Sequence, residues 1–169
     1  PVPLLRAGWQ ASAAFLEIYV RGYRDSDGDG IGDLRGLITR LHYLQHLGVD
    51  AIWLMPIMSS ADHDHGYATI DYRTVEQDYG TLDDFKDLLD SAHTRGIAVI
   101  IDYLINHASD QSALFAESVD RNGPFRDWFV WRDSPPTGNW KLWGTNWPWH
   151  QRNGSWYYGA FWGGMPDFN

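Results

Sequence analysis

Two short stretches carry side chains whose types and spacing could do chemistry. The first is residues 97–107, IAVIIDYLINH, where five apolar residues run directly into Asp102, followed by Asn106 and His107. A short, apolar, β-branched run reads as a strand buried on both faces, as in a parallel sheet. A carboxylate, an amide and an imidazole at the end of such a strand need partners, because burying a neutral polar group unpaired costs roughly 2–7 kcal/mol. The C-terminal ends of strands are also where α/β folds place their ligand contacts. The second stretch is Asp25-Ser26-Asp27-Gly28-Asp29-Gly30-Ile31-Gly32-Asp33. Oxygen donors at alternate positions, with glycines permitting a tight turn, are what a calcium ion requires. The start matches the EF-hand pattern, but Gly36 stands where that loop needs a bidentate Glu, and a strand rather than a helix precedes it. The stretch therefore reads as a calcium loop of another fold, with Asp25, Asp27, Asp29, Asp33 and the Ile31 carbonyl as ligands. The alternative is a solvated acidic turn that binds nothing.

The elements that position these groups follow from periodicity. Residues 15–20 (FLEIYV) form a first strand. Gly32 or Asp33 opens a helix whose apolar stripe is Leu34, Leu37, Ile38, Leu41, Leu44 and Leu47, stopped by Gly48. Residues 51–54 (AIWL) form a second strand ended by Pro56. Thr81 caps a second helix, with Asp84 as capping-box partner, an apolar face of Phe85, Leu88, Leu89 and Ala92, and Gly96 as its stop. Residues 97–101 form the third strand. Alternating strands and helices joined by short turns mean an α/β fold with a parallel sheet and right-handed crossovers.

Composition sets the outer limits. The chain has 169 residues, 44% of them hydrophobic, enough for a globular core. A net charge of −9 argues against nucleic acid and against an anionic membrane surface as partners. No apolar run approaches the ~18 residues that cross a bilayer. With no cysteine, disulfides and thiolate metal sites are excluded. Aromatic residues are over-represented at 15%, and eight of the ten Trp lie between Trp128 and Trp162, so a domain boundary is expected near residue 108. Most of these Trp are expected in a core, with one or two lining a cleft. Asp62, His63, Asp64 and His65 could hold a transition metal, but a solvated loop explains them equally well.

Five segments then stand in a telling order: DSDGDGIGDLRGL at 25–37, GVDAIWLMP at 48–56, GYATIDYRTVEQDYGT at 66–81, DYLINH at 102–107 and MPDFN at 165–169. Together they resemble the α-amylase family of glycoside hydrolases, family 13. The resemblance implies the first three β/α units of a (β/α)8 barrel over 1–107. An irregular, Trp-rich domain B inserted after strand three would occupy 108–169. It further implies retaining cleavage of α-1,4-glucosidic bonds in an α-glucan or maltooligosaccharide. By the same resemblance His107 contacts the sugar at the cleavage subsite, Asp102 orients an Arg, Tyr67 stacks under the sugar and Asp64 contacts its hydroxyls. Asn106 and Asp167 would bind a second calcium. Two departures touch subsite detail: Ala68 stands where relatives carry Asp, and strand one reads Phe15-Leu16-Glu17-Ile18-Tyr19 rather than aromatic-Glu-aromatic.

No residue here matches the family's nucleophile or acid/base, which the resemblance places beyond Asn169. Three strands cannot close a barrel, so a chain of these 169 residues alone is expected to be inactive and poorly soluble. Two other functions stay open. One is an α-glucosidase, trehalose synthase or other transglycosylase of the same family. The other is a non-catalytic amylase-like binding subunit, against which the presence of Tyr67, Asp102 and His107 together argues.

Overall fold

The computed structural model describes residues 8–61, 65–141 and 147–169. In chain order the elements are β1 (Phe15–Ile18), α1 (Leu34–His46), β2 (Ala51–Leu54), β3 (Met58–Ser60), β4 (Thr69–Val75), α2 (Leu82–Thr94), β5 (Ala98–Ile101), α3 (Ala113–Ser118), β6 (Trp131–Arg132), β7 (Trp149–Arg152) and β8 (Ser155–Tyr158). They fall into two compact units. Among the described residues, one comprises 8–59, 65–66 and 73–103; the other comprises 60–61, 67–72 and the described part of 104–169. The change after Tyr103 lies slightly ahead of the composition shift near 108, and composition gave no sign that 60–61 and 67–72 join the second unit.

In the first unit, β1, β2 and β5 form a parallel sheet in that order. Ile18, Leu54 and Ile101 stand in one register row at its C-terminal end. Asp33 caps α1 through its side chain, accepting from the Gly36 N–H. This helix buries Leu34, Leu37, Leu41 and Leu44. Leu47 departs from the expected stripe: the helix ends at His46, and Leu47 is exposed. Thr81 and Asp84 form the complete capping box of α2, which buries Leu88 and Ala92 and leaves Phe85 and Leu89 half-buried. The first strand is shorter than its apolar run, because Val20–Gly22 turns into a 3-10 helix.

Within these 169 residues the sheet is buried on one face only. Side chains alternate along a strand, and the row Glu17, Trp53, Ile100 lies on the exposed face. Trp53 and Ile100 are each 40% exposed, and Phe15 is 44% exposed. The other face carries Ile18, Ile52 and Leu54, all buried. Continuous apolarity reports what a strand can bury, not what covers it within these residues.

The second unit has its own core of Ala108, Phe115, Phe129 and Tyr157. Phe115 is central: it meets Phe129 and Tyr157 edge to face and stacks on Trp131 at 5.4 Å. A three-stranded antiparallel sheet, in the order β6-β8-β7, lies in this unit, with Asn153-Gly154 turning the β7–β8 hairpin. The expectation that most Trp are core is corrected. Among the described Trp of this stretch only Trp149 is buried, while Trp128, Trp140, Trp147 and Trp162 are exposed. Indole is too large to be enclosed readily by strands of two to four residues.

Candidate functional site

The second unit gathers Tyr67, Asn106, His107 and Asp167 through a short antiparallel pairing. His107 and Asp167 form a β-bridge, the Phe168 N–H donates to the Asn106 carbonyl at 2.9 Å, and the Ala108 N–H donates to the Pro166 carbonyl at 3.1 Å. The Tyr72 hydroxyl donates to the His107 carbonyl at 2.9 Å. Residues sixty apart in sequence are thereby fixed side by side.

His107 is buried, and both ring nitrogens are engaged. Its Nε2 lies 3.0 Å from the Tyr67 carbonyl oxygen. A carbonyl only accepts, so Nε2 carries the hydrogen. Nδ1 is then the acceptor, and the Asn106 amide donates to it at 3.3 Å. The backbone of Tyr67 and the side chain of Asn106 thus select one neutral tautomer and one ring orientation. Phe161 meets the imidazole edge to face at 5.1 Å, and it is 46% exposed.

Asp167 is buried beside this ring. Burial pushes its carboxyl above the usual carboxylate range; the hydrogen bonds from the Ala160 N–H and the Asn106 side chain offset this only in part. The Asp167 carboxyl and the Asn106 amide are oxygen donors of the kind a divalent cation takes.

Asp102 belongs to the first unit, immediately after β5. It is half-buried, and its N–H donates to the Leu54 carbonyl at 2.9 Å. Asp64, with Asp62 and His63, lies outside the described residues.

The acidic loop is the other centre of the first unit. Asp25, Asp27 and Asp29 bring one carboxylate oxygen each within 4.8 Å of one another. The loop winds around Asp25, whose carboxylate accepts from the N–H groups of Asp27, Gly28 and Gly30 at 3.0, 2.7 and 2.9 Å. Gly28 and Gly30 take left-handed φ values of 90° and 91°, a conformation that costs glycine nothing. Those bonds, led by the ones from Gly28 and Gly30, hold the Asp25 carboxyl below its ordinary range. Asp33 stands apart from the cluster: its carboxylate receives the Ser26 N–H, the Ser26 hydroxyl and the Gly36 N–H, closing the loop onto α1. Three carboxylates of like charge held this close fit a hard cation, which would remove their mutual repulsion.

A polar hollow of about 360 Å³ is lined by Arg121, Arg126, Trp131 and Asp133, among others. Its groups are already matched. Both arginines pair with Asp133 and bond Ser155, and the Trp131 ring stacks on Phe115 and lies under the Arg126 guanidinium. Sequence reasoning missed Phe161, because its approach to His107 depends on the turn held by the Tyr157 hydroxyl on the Gly163 carbonyl. No spacing rule announces that contact.

A model of the alpha-amylase catalytic domain matches residues 17–169. The chain belongs to this family, glycoside hydrolase family 13. It is 46% identical to an alpha-amylase from H. orenii of known structure, with a TM-score of 0.86 over 93% of this chain and 34% of that one. It is 39% identical to an isomaltulose synthase mutant from Erwinia rhapontici NX5, solved with its natural substrate sucrose, with a TM-score of 0.89 over 95% and 30% of the two chains. The oligo-1,6-glucosidase of Heyndrickxia coagulans is 40% identical over 95% of this chain and 30% of its own length. The chain therefore spans about a third of the length of such relatives. Its α/β fold is the opening part of their (β/α)8 barrel, and no closed barrel forms among the described residues.

Proposed function

We propose that these residues form the sugar-facing wall of a retaining glycoside hydrolase that cleaves α-glucosidic bonds. The observation that carries this reading is His107, held in one tautomer by Tyr67 and Asn106, with Phe161 at its edge. Phe161, 46% exposed, offers an apolar edge beside the imidazole; both ring nitrogens are bonded within the protein, so a sugar hydroxyl would take the place of the Tyr67 or Asn106 partner. Retention would proceed through a glycosyl-enzyme intermediate on a carboxylate pair, neither member of which we assign in this chain. Tyr67, Asp102 and His107 are read as substrate-binding residues, with Asp64 as a further hydroxyl contact.

The relatives divide between amylase, oligo-1,6-glucosidase and sucrose-acting types. That range supports action on short α-glucosides more than strict α-1,4 cleavage of starch. The amylase-like MPDFN at 165–169 favours the starch-type reading as second choice.

We read the acidic loop as a calcium site. Asp25, Asp27 and Asp29 would supply carboxylates and Ile31 its carbonyl, while Asp33 could join only by giving up bonds to Ser26. Calcium there would neutralise the cluster and fix the loop between β1 and α1. Asn106 and Asp167 are the ligands read for a second calcium. Cutting composition near 108, we take 1–107 as the barrel start and 108–169 as the inserted domain B.

The test is His107→Asn in the full-length protein. If His107 contacts the sugar, kcat/KM on maltotriose falls by about 10²-fold or more, alongside the drop in melting temperature that losing its bonds to Tyr67 and Asn106 brings. A lowered melting temperature with kcat/KM unchanged would reduce His107 to a packing role.

A further inference from the structure

Outside both centres, α1 presents two histidines, His42 and His46, separated by one helical turn. Residues at i and i+4 share a face of a helix, with Cβ atoms ~5–6 Å apart. Both side chains are exposed, and their rings lie 4.2 Å apart between centroids, tilted by 50°. The second observation concerns hydrogen. His46 Nδ1 lies 3.0 Å from the His42 carbonyl oxygen. Since that oxygen only accepts, Nδ1 carries the hydrogen, and the lone pair is left on Nε2. A ring whose Nδ1–H is tied to a backbone carbonyl is the usual state of a metal-bound histidine, because the bond fixes orientation and raises ligand basicity. The position adds to this: His46 is in the last turn of α1, where the helix dipole favours positive charge.

We infer that His42 and His46 form a two-imidazole surface site for a borderline divalent ion such as zinc. The donor chemistry excludes calcium and magnesium, which prefer oxygen, and selects zinc, nickel or copper. Two nitrogens each about 2.0–2.1 Å from one zinc ion place their ring centroids on the order of 5 Å apart. From 4.2 Å the rings reach this by a small side-chain rotation, with α1 unchanged. Water completes the coordination, so the ion sits on the helix surface and clamps one turn of it.

The experiment is calorimetric titration of the full-length protein with zinc chloride. Excess calcium in the buffer keeps the Asp25–Asp29 loop occupied, so any zinc signal comes from elsewhere. His42→Ala and His46→Ala are each compared with wild type, and His93→Ala on α2 is the control. The expected result is binding to wild type and to the His93 variant, weakened at least about tenfold by either α1 substitution, the low end of what even a ligand's supporting hydrogen bond is worth. Far-UV circular dichroism of the variants matches wild type, since both side chains are exposed. The inference is overturned if wild type gives no zinc binding, or if both α1 variants bind zinc as wild type does.

Discussion

At the scale of single residues, small groups decide what the larger ones can do. Gly36 is the clearest case. In the sequence it broke a calcium-loop pattern by standing where a Glu was needed. The structure shows why no side chain is tolerated there: a Cβ would lie 1.9 Å from the Arg24 carbonyl oxygen and 2.7 Å from its carbon. Alanine normally favours a helix over glycine by about 1 kcal/mol. Here the sign reverses, and Gly36→Ala should destabilise the protein by roughly 1–3 kcal/mol, read as a lowered midpoint in urea unfolding. His107 makes the same point for the site. Its type and position were legible because polar residues at the end of an apolar strand need a reason. Its tautomer was not, because the deciding atom is a backbone carbonyl forty residues away.

At the scale of elements, the sequence spoke most clearly where local chemistry suffices. The capping box of α2 was written in Thr81 and Asp84, and both reciprocal bonds are present. The Asp84 carboxylate also pairs with Arg35 of α1. Hydrogen bonds from Thr81, then the pair with Arg35, hold its carboxyl below the ordinary range. A depressed folded-state value means that Asp84 stabilises fully above the unfolded carboxylate value, about 3.9. That contribution disappears as pH falls through the lower folded value. Asp84→Asn should therefore cost on the order of 1 kcal/mol at pH 7, and the gap to wild type should narrow in thermal melts taken near pH 3.

The β7–β8 hairpin was not read from the sequence, although Asn153-Gly154 between WHQR and SWYY is a hairpin signal. What hid it was the Trp-rich composition around it, which reads as irregular. The exposed Trp side chains and the open face of Trp53 and Ile100 were not legible, because hydrophobic pattern predicts burial and cannot name the covering element.

At the scale of the whole molecule, the ordered motifs carried the family and the fold. The calcium reading makes a prediction here. An ion that binds only the native state stabilises it by about 2.7 kcal/mol at a hundred times its Kd, so a chelator should lower the melting temperature of the full-length protein and added calcium should restore it. Asp25→Asn should abolish that response. An unchanged melting temperature would leave the loop as a solvated turn. The central claim is retaining cleavage of α-glucosidic bonds. It is tested most directly by proton NMR of the sugar first released when the full-length protein acts on maltotriose. The account predicts that the newly formed reducing end appears as the α-anomer before mutarotation. First appearance of the β-anomer, or no cleavage of any α-glucoside, would contradict it.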